Sequence, residues 1–171
     1  MKIVFLGYMA SGKSTIGVEI SNKLYMKFID LDAYISEREK RSILEIFKVK
    51  GEIYFRRIES LYLSEILNSK EDFVLSLGGG TPCYGNNMEL IQSSKAKSIY
   101  IQASIPTLVT RLIKEKGTRP LVAGLENEKI TEFVAKHLFE RRFFYEQAAI
   151  LLNTENKSLQ EIVSEIEMGL N

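Results

Sequence analysis

A segment near the N-terminus combines two glycines, a lysine and two hydroxyl side chains at a spacing that suits phosphate binding. It runs from Gly7 to Thr15, reads GYMASGKST, and matches the pattern G-x-x-x-x-G-K-[ST]. The glycines let backbone N–H groups turn inward around an anion, and the following helix points its positive end at the same anion. Lys13 would then neutralise the β- and γ-phosphates, and Ser14 would offer a hydroxyl to Mg²⁺. The sequence therefore predicts a nucleoside triphosphate site, with an ordinary glycine turn as the alternative.

Two aspartates follow in the segment FIDLD, at the end of the second apolar run. Residues two apart on a strand share a face, so Asp30 and Asp32 should project together at the edge of the sheet where α/β proteins bind ligands. One carboxylate could serve the water shell of a metal while the other accepts a substrate hydroxyl. Solvated or helix-capping aspartates are the alternative. Ser76 and Leu77 stand where a Walker-B aspartate usually lies, so Asp30 is the expected metal carboxylate.

Arg56 stands between two acids, Glu52 and Glu59, at helical spacings of four and three residues. Such flanking can orient a guanidinium to bind a carboxylate with two hydrogen bonds, although an ordinary salt-bridged surface helix has the same pattern. A run of three glycines, 78–80, leaves the third apolar run. It indicates either a close approach of the backbone to another group or positive φ angles.

Three further arginines are candidates for binding, and each could instead be solvated. Arg119 lies in the sequence GTRP, within residues 114–129, which we expect to form either a surface loop or a mobile lid. An arginine there could reach the transferred phosphoryl group. Arg111 precedes this segment and could stack on a base. Arg141 lies on an aromatic stretch whose rings are expected to pack in the core.

The remaining reactive side chains, Cys83 and His137, suggest no chemistry. A buried thiol and an exposed imidazole on a helix are the expectations.

These residues must be positioned by an alternation of short apolar runs and longer amphipathic stretches. Apolar residues 159, 162, 163 and 166 predict a closing C-terminal helix. Strands that alternate with helices predict a parallel sheet covered on both faces. The predicted strands are Ile3–Leu6, Lys27–Asp30, Phe73–Leu77, Ser98–Ile101 and Ile150–Leu152.

Composition narrows the class of protein. The chain has 171 residues, 45% hydrophobic and 26% charged, which is typical of one globular domain over residues 1–171 and argues against disorder. Lys and Arg number 23 against 22 Asp and Glu, so nothing favours a nucleic-acid binder. The single cysteine does not call for an oxidising compartment, and no apolar run is long enough to span a membrane. An early apolar run stops at Gly7, which disfavours a secretory signal. We expect a cytoplasmic monomer.

Taken in order, these segments resemble the shikimate kinases, P-loop phosphotransferases with the nucleoside monophosphate kinase fold. The resemblance covers essentially the whole chain. It rests on the GxxxSGKST loop, DxD, FRxxE, LGGG, RPL and RxxxY. The fold it implies is a three-layer α/β P-loop fold with a five-stranded parallel sheet flanked by helices. The lid would span about 114–129 and the substrate-binding helical segment about 32–59.

The resemblance also implies a reaction, in which MgATP and shikimate give ADP and shikimate 3-phosphate on the route to chorismate and the aromatic amino acids. Catalysis would depend on Lys13, Asp32 and Arg119, and Mg²⁺ would be bound by Ser14 and by Asp30 through water. ATP would be bound by Ala10, Ser11, Gly12, Lys13, Ser14, Thr15, Arg111, Arg119 and Lys157. Shikimate would be bound by Asp32, Arg56, Gly78, Gly79, Gly80 and Arg141.

Two segments depart from the family pattern. The motif RxPLY lacks its proline here, and Arg141 is preferred to Arg142 because of its distance from Tyr145. A VDT segment near the adenine is replaced by residues 152–154, LNT, which weakens the assignment of Lys157. The alternatives are a gluconate-kinase-like enzyme, a nucleoside monophosphate kinase, or a nucleotide-binding module without turnover. Paired arginines together with DxD favour the carboxylate acceptor.

Overall fold

The structure, a computed structural model, describes residues 1–115 and 120–170. Five strands form one parallel sheet in the order β2-β3-β1-β4-β5, which confirms the predicted fold class. The third strand ends one residue earlier than predicted, at Ser76, while the first, fourth and fifth are longer. The strands are β1 (Lys2–Leu6), β2 (Lys27–Asp30), β3 (Phe73–Ser76), β4 (Lys97–Gln102) and β5 (Ile150–Asn153).

Helices connect the strands and cover both faces of the sheet. A short 3-10 turn, Thr81–Cys83, follows the glycine run. The helices are α1 (Lys13–Lys23), α2 (Leu31–Glu39), α3 (Ile43–Lys50), α4 (Glu52–Asn68), α5 (Asn87–Ser93), α6 (Ile105–Lys114), α7 (Pro120–Ala123), α8 (Asn127–Tyr145) and α9 (Leu159–Leu170).

The core lies in two layers, one on each side of β1. Ile3 and Phe5 face one layer, which contains α1 and α9, while Val4 and Leu6 face the other. All four of these side chains are buried, because neighbouring residues on a strand point to opposite faces and both faces are covered. The predicted apolar face of α9 packs in the first layer. This three-layer arrangement places the carboxyl end of β1, where the phosphate loop begins, at one edge of the sheet.

The predicted substrate-binding segment is helical and lies between β2 and β3. α3 begins with a capping box in which Ser42 and Glu45 exchange hydrogen bonds. Glu39, on α2, accepts hydrogen bonds of 2.8 Å from the hydroxyls of Tyr54 and Tyr62 on α4. These hydrogen bonds join α2 to α4, the two helices that carry Asp32 and Arg56.

The predicted lid falls partly outside the described residues. Residues 116–119, including Arg119, lie outside them, so the structure does not test the assignment of that arginine. The rest of the segment is partly helical rather than a loop, because α7 spans Pro120–Ala123 and α8 already begins at Asn127.

Within the described residues, no helix is long and apolar enough to cross a membrane.

Candidate active site

A cleft of about 1180 Å³ opens at the carboxyl ends of the parallel strands. It begins at the phosphate loop and extends to α3 and α4 on one side and to the start of α9 on the other. Every site residue predicted from the sequence and present among those described lines this cleft. They are residues 10–15, Asp30, Asp32, Arg56, Gly78, Gly79, Gly80, Arg111, Arg141 and Lys157.

The phosphate loop has the backbone that its sequence predicts. Gly12 has a φ of 99°, a left-handed conformation that favours glycine, and it caps the N-terminus of α1. Lys13 is buried, and its Nζ donates to the carbonyls of Gly7 at 2.9 Å and Tyr8 at 2.8 Å. The ammonium group therefore lies inside the loop, next to the backbone that would surround a phosphate.

Ser14 and Asp30 meet at the start of α1. The Ser14 hydroxyl donates to Asp30 Oδ2 at 3.3 Å and lies 3.4 Å from the Ser76 hydroxyl. Asp30 Oδ1 accepts from the backbone N–H of Ala33 at 3.1 Å, so this residue also caps α2. One carboxylate oxygen stabilises a helix while the other faces the serine. Sequence reasoning assigned no role to Ser76, although the parallel register pairs it with Asp30.

Asp32 reaches the cleft by a route other than the predicted one. β2 ends at Asp30, and Asp32 lies in the first turn of α2, so the expected shared strand face was wrong. Both carboxylates still line the cleft, because the chain turns into the helix immediately after Asp30. Burial, with the nearby charges of Asp30 and Glu59, raises the pKa of Asp32 to about 6, and the charges of Lys13 and Arg56 oppose this rise.

Arg56 is hydrogen-bonded to Glu59 and lies near Glu52. Its Nη1 donates to the two carboxylate oxygens of Glu59 at 3.0 and 3.2 Å, and its Nε lies 3.6 Å from Glu52. Glu59 also accepts from the hydroxyl of Thr81 at 2.7 Å. The guanidinium carbon lies 3.7 Å from the centroid of the Tyr84 ring, a contact that the sequence did not indicate. The side chain is therefore fixed in position before any ligand binds.

The glycine run lies against three functional side chains. A side chain at any of its three positions would collide with one of them. The hypothetical Cβ atom would lie 3.1 Å from Asp32 Oδ1 at Gly78, 3.2 Å from Arg141 Nη1 at Gly79 and 3.0 Å from Arg56 Nη2 at Gly80. The predicted close approach of backbone to other groups is thus present, and these groups belong to the site.

Arg141 and Arg142 have different surroundings in the structure. Arg141 lines the cleft, whereas Arg142 is exposed and pairs with Glu146. Tyr145, four residues after Arg141, is fully buried and its hydroxyl donates to the carbonyl of Gly79. This bond anchors the end of α8 to the glycine run.

The expectation that the aromatic rings near Arg141 pack in the core was only partly right. Phe139 is 83% exposed and Phe143 is 72% exposed, while Tyr145 is buried. Residues 139 and 143 are one helical turn apart, so they share a face of α8 that points away from the core.

His137 is not the exposed imidazole that was expected. It is partly buried, lines the cleft, and its Nδ1 lies 3.0 Å from the Tyr8 hydroxyl. Burial and the neighbouring charge of Arg141 lower its pKa.

Cys83 is also only partly buried, and burial raises the pKa of its thiol to about 11, which leaves the thiol protonated near neutral pH.

Two cations lie on the β4–β5 side of the cleft. Arg111 Nη1 donates to the carbonyl of Ala10 at 3.0 Å, so it supports the phosphate loop. Lys157 forms a salt bridge with Glu165 and lines the cleft together with Thr154. Both cations therefore line the part of the cleft where the nucleotide is predicted to bind.

A phosphate loop at the head of a 2-3-1-4-5 parallel sheet, facing acids and arginines across one cleft, defines a P-loop kinase. The family model for shikimate kinase matches residues 9–170. The chain is 47% identical over 165 residues to the shikimate kinase of Flavobacterium johnsoniae, with 96% of each chain covered. The chain belongs to the shikimate kinase family.

Solved structures agree with this assignment. The shikimate kinase of Bacteroides thetaiotaomicron has a TM-score of 0.91 and 34% identity, covering 99% of this chain and 98% of that one. The enzyme of Acinetobacter baumannii, in complex with shikimate, has a TM-score of 0.87 and 26% identity, covering 99% and 92%. A gluconokinase from Sinorhizobium meliloti, at 19% identity and a TM-score of 0.60, shares the fold alone.

Proposed function

We propose that this chain transfers the γ-phosphoryl group of ATP to the 3-hydroxyl of shikimate, giving ADP and shikimate 3-phosphate. The observation that supports this most strongly is the packing of Asp32, Arg56 and Arg141 around one glycine run beside the phosphate loop. Shikimate is a polyhydroxylated carboxylic acid. Such an acceptor needs cations for its carboxylate and a base for one hydroxyl, and both are present together in the cleft.

The carboxylate of shikimate would bind between Arg56 and Arg141. A guanidinium matches a carboxylate through two parallel hydrogen bonds, and Arg56 is already oriented by Glu59. Pre-orientation lowers the entropy lost when the ligand binds. The two arginines come from different elements, α4 and α8, so they can contact the carboxylate from two directions.

Asp32 would take the proton from the attacking hydroxyl. As the hydroxyl oxygen forms a bond to the γ-phosphorus, the bond from that phosphorus to the β–γ bridging oxygen breaks, and ADP leaves with its electron pair. The raised pKa of Asp32, about 6, makes it a stronger base than an ordinary aspartate while keeping it ionised near pH 7. Its place beside Gly78 puts it on the same side of the cleft as Arg56.

The nucleotide would bind through the phosphate loop. Lys13 would bind the β- and γ-phosphates, and Arg119 would stabilise charge on the transferred group, as the family resemblance implies. Arg111 and Lys157 would lie towards the adenosine. A monomeric, cytoplasmic enzyme stays a prediction.

The oxygens of Ser14 and Asp30 suit Mg²⁺, which prefers hydroxyl, carboxylate and phosphate ligands. Bound Mg²⁺ would neutralise charge on the phosphates. No group of three or more His, Cys, Asp or Glu side chains in the described ranges forms a complete metal site. We therefore infer that water and nucleotide oxygens would complete the shell around Ser14 and Asp30.

The test is acceptor-dependent release of ADP in a coupled assay with Mg²⁺ and ATP, comparing shikimate, gluconate and AMP. We expect release with shikimate only, and phosphorus NMR of the product should show an ester at the 3-hydroxyl. A Lys13→Ala variant controls for contaminating kinases and should lose the signal. Release with gluconate or AMP alone would contradict the acceptor assignment, and release with none of them would favour a binding module without turnover.

A further inference from the structure

A hydrogen bond joins the phosphate loop to the middle of α8. The Tyr8 hydroxyl oxygen lies 3.0 Å from His137 Nδ1, and the two rings meet edge to face with centroids 5.5 Å apart. Tyr8 is buried, and burial raises its pKa to about 12, so its hydroxyl keeps its proton near neutral pH. Burial and the charge of Arg141 lower the pKa of His137, which favours the neutral imidazole. Both partners are thus uncharged near neutral pH, and the tautomer of the imidazole determines which of them donates.

Tyr8 contacts functional groups on both sides of the cleft. Its backbone carbonyl accepts from Lys13 Nζ at 2.8 Å. Its ring lies beneath Arg141, whose guanidinium carbon is 5.8 Å from the ring centroid. His137 and Arg141 are four residues apart on α8, so they lie on the same face of that helix, and both line the cleft. Tyr8 therefore contacts the phosphate-binding lysine through its backbone and the second arginine through its ring.

Arg141 is held differently from Arg56. Arg56 is oriented by the buried carboxylate of Glu59. Arg141 has no salt bridge to a carboxylate among residues 1–115 and 120–170. Its neighbours are the Tyr8 ring, the Tyr145 side chain and the backbone at Gly79. The position of its guanidinium consequently depends on where α8 lies relative to the phosphate loop.

We propose that Tyr8 and His137 form a positioning pair that places Arg141 for the carboxylate of the acceptor. The inference rests on the proposed function, in which that carboxylate is the ligand of Arg141. Neither residue is required to touch the reacting atoms. Loss of the pair should weaken binding of a carboxylate acceptor and leave phosphoryl transfer at saturating acceptor unchanged.

Three variants test the pair in the steady-state assay. Tyr8→Phe removes only the hydroxyl, and His137→Leu removes the ring nitrogens. We expect each to raise the KM for shikimate by about 3- to 10-fold, the effect of one hydrogen bond. The kcat and the KM for ATP should stay within about twofold of the original values. His137→Asn is the matched rescue, because its amide can present a donor or an acceptor close to the position of Nδ1, and its KM should stay near that of the unmodified chain.

A double variant and a neutral acceptor separate positioning from general damage. The double variant Tyr8→Phe/His137→Leu should raise the KM for shikimate no more than either single substitution does. The reason is that the double variant and both of these single variants lose the same hydrogen bond. With the uncharged carboxamide of shikimate as acceptor, the variants and the unmodified chain should have the same KM. The proposal would be overturned if both single variants kept the original KM for shikimate, or if the double variant raised that KM by the product of the two single effects. It would also be overturned if the variants raised the KM for the carboxamide as much as the KM for shikimate. If the unmodified chain phosphorylates shikimate, these results would count against the positioning pair alone. If it does not, the proposed function itself fails.

Discussion

Glu59 and Arg56 form an ion pair within one turn of α4, and its acidic partner is almost completely buried. Arg56 Nη1 lies 3.0 and 3.2 Å from the two oxygens of Glu59, whose exposure is 1%. A carboxylate removed from water is costly unless it is paired and hydrogen-bonded, so this pairing offsets the burial of Glu59. Because the Thr81 hydroxyl also bonds to Glu59, the pair connects α4 to the turn that follows the glycine run.

The Glu59→Gln substitution tests whether this pair prepares Arg56 for the acceptor. The amide keeps the volume but removes the charge that orients the guanidinium, so we expect the KM for shikimate to rise by about tenfold. The KM for ATP should change little. Glu52→Gln is the control, because that exposed acid lies 3.6 Å from Arg56 Nε and its loss should change the KM for shikimate by less than about twofold. Equal effects of the two substitutions would contradict a special role for Glu59.

Asp32→Asn removes the proposed base with little change in shape. We expect kcat to fall by about 10²- to 10⁴-fold, the usual contribution of a general base, while ATP affinity measured by calorimetry stays the same. Ser36→Ala, a similarly small change one turn further along α2, serves as a control for damage to the helix. Turnover within a few-fold of the original would remove Asp32 from the mechanism.

The pH dependence of kcat/KM follows from the pKa of Asp32 in the free enzyme. Burial raises that pKa to about 6, so the carboxylate becomes protonated, and inactive as a base, as the pH falls below this value. We expect kcat/KM for shikimate to be level above about pH 7 and to fall by about tenfold per unit below about pH 6. A base with the ordinary pKa of aspartate would stay active down to about pH 4.

His137 provides the control for this profile, because its ring also titrates on the acidic side of neutrality. His137→Asn removes that titration and keeps a polar group towards Tyr8. The acid limb should persist in this variant if Asp32 causes it. Disappearance of the limb would assign it to His137 instead.

Gly80→Ala tests the close approach of the glycine run to Arg56. Gly80 has a φ of −87°, which any residue adopts, so the backbone tolerates alanine. The added methyl would lie 3.0 Å from Arg56 Nη2 and would displace the guanidinium. We expect the KM for shikimate to rise by about 3- to 10-fold with little loss of thermal stability. Gly169→Ala, on α9 beside Ile150, is the control and should leave the KM unchanged; an unchanged KM in Gly80→Ala would mean that Arg56 adapts to the methyl group.

Local patterns predicted the elements of the fold because each depends on nearby residues. The phosphate loop follows from the types and spacing of Gly7, Gly12 and Lys13. The sheet follows from short apolar runs that alternate with amphipathic stretches, and burial on both faces explains why β1 is continuously apolar. The acids beside Arg56 follow from helical spacing alone.

Contacts between distant residues could not be predicted in the same way. Tyr8 and His137 are 129 positions apart, and nothing near either residue in the sequence indicates the other. The match of Gly79 with Arg141 depends on how α8 packs against the glycine run. Phe139 and Phe143 show that an aromatic side chain does not by itself determine which face of a helix is buried. Asp32 was placed at the correct edge of the sheet on the wrong element, because the chain turns into α2 directly after Asp30 and does not stay extended to Asp32.

The position of residues 31–68 in the chain has an evolutionary consequence. These residues leave the sheet after the edge strand β2 and return at β3, and they carry Asp32, Arg56 and Glu59. The phosphate loop lies outside them, between β1 and α1. One continuous stretch can therefore diverge, lengthen or be exchanged by recombination without disturbing the nucleotide machinery. A fold organised in this way lets selection change part of the acceptor site while the donor site is retained.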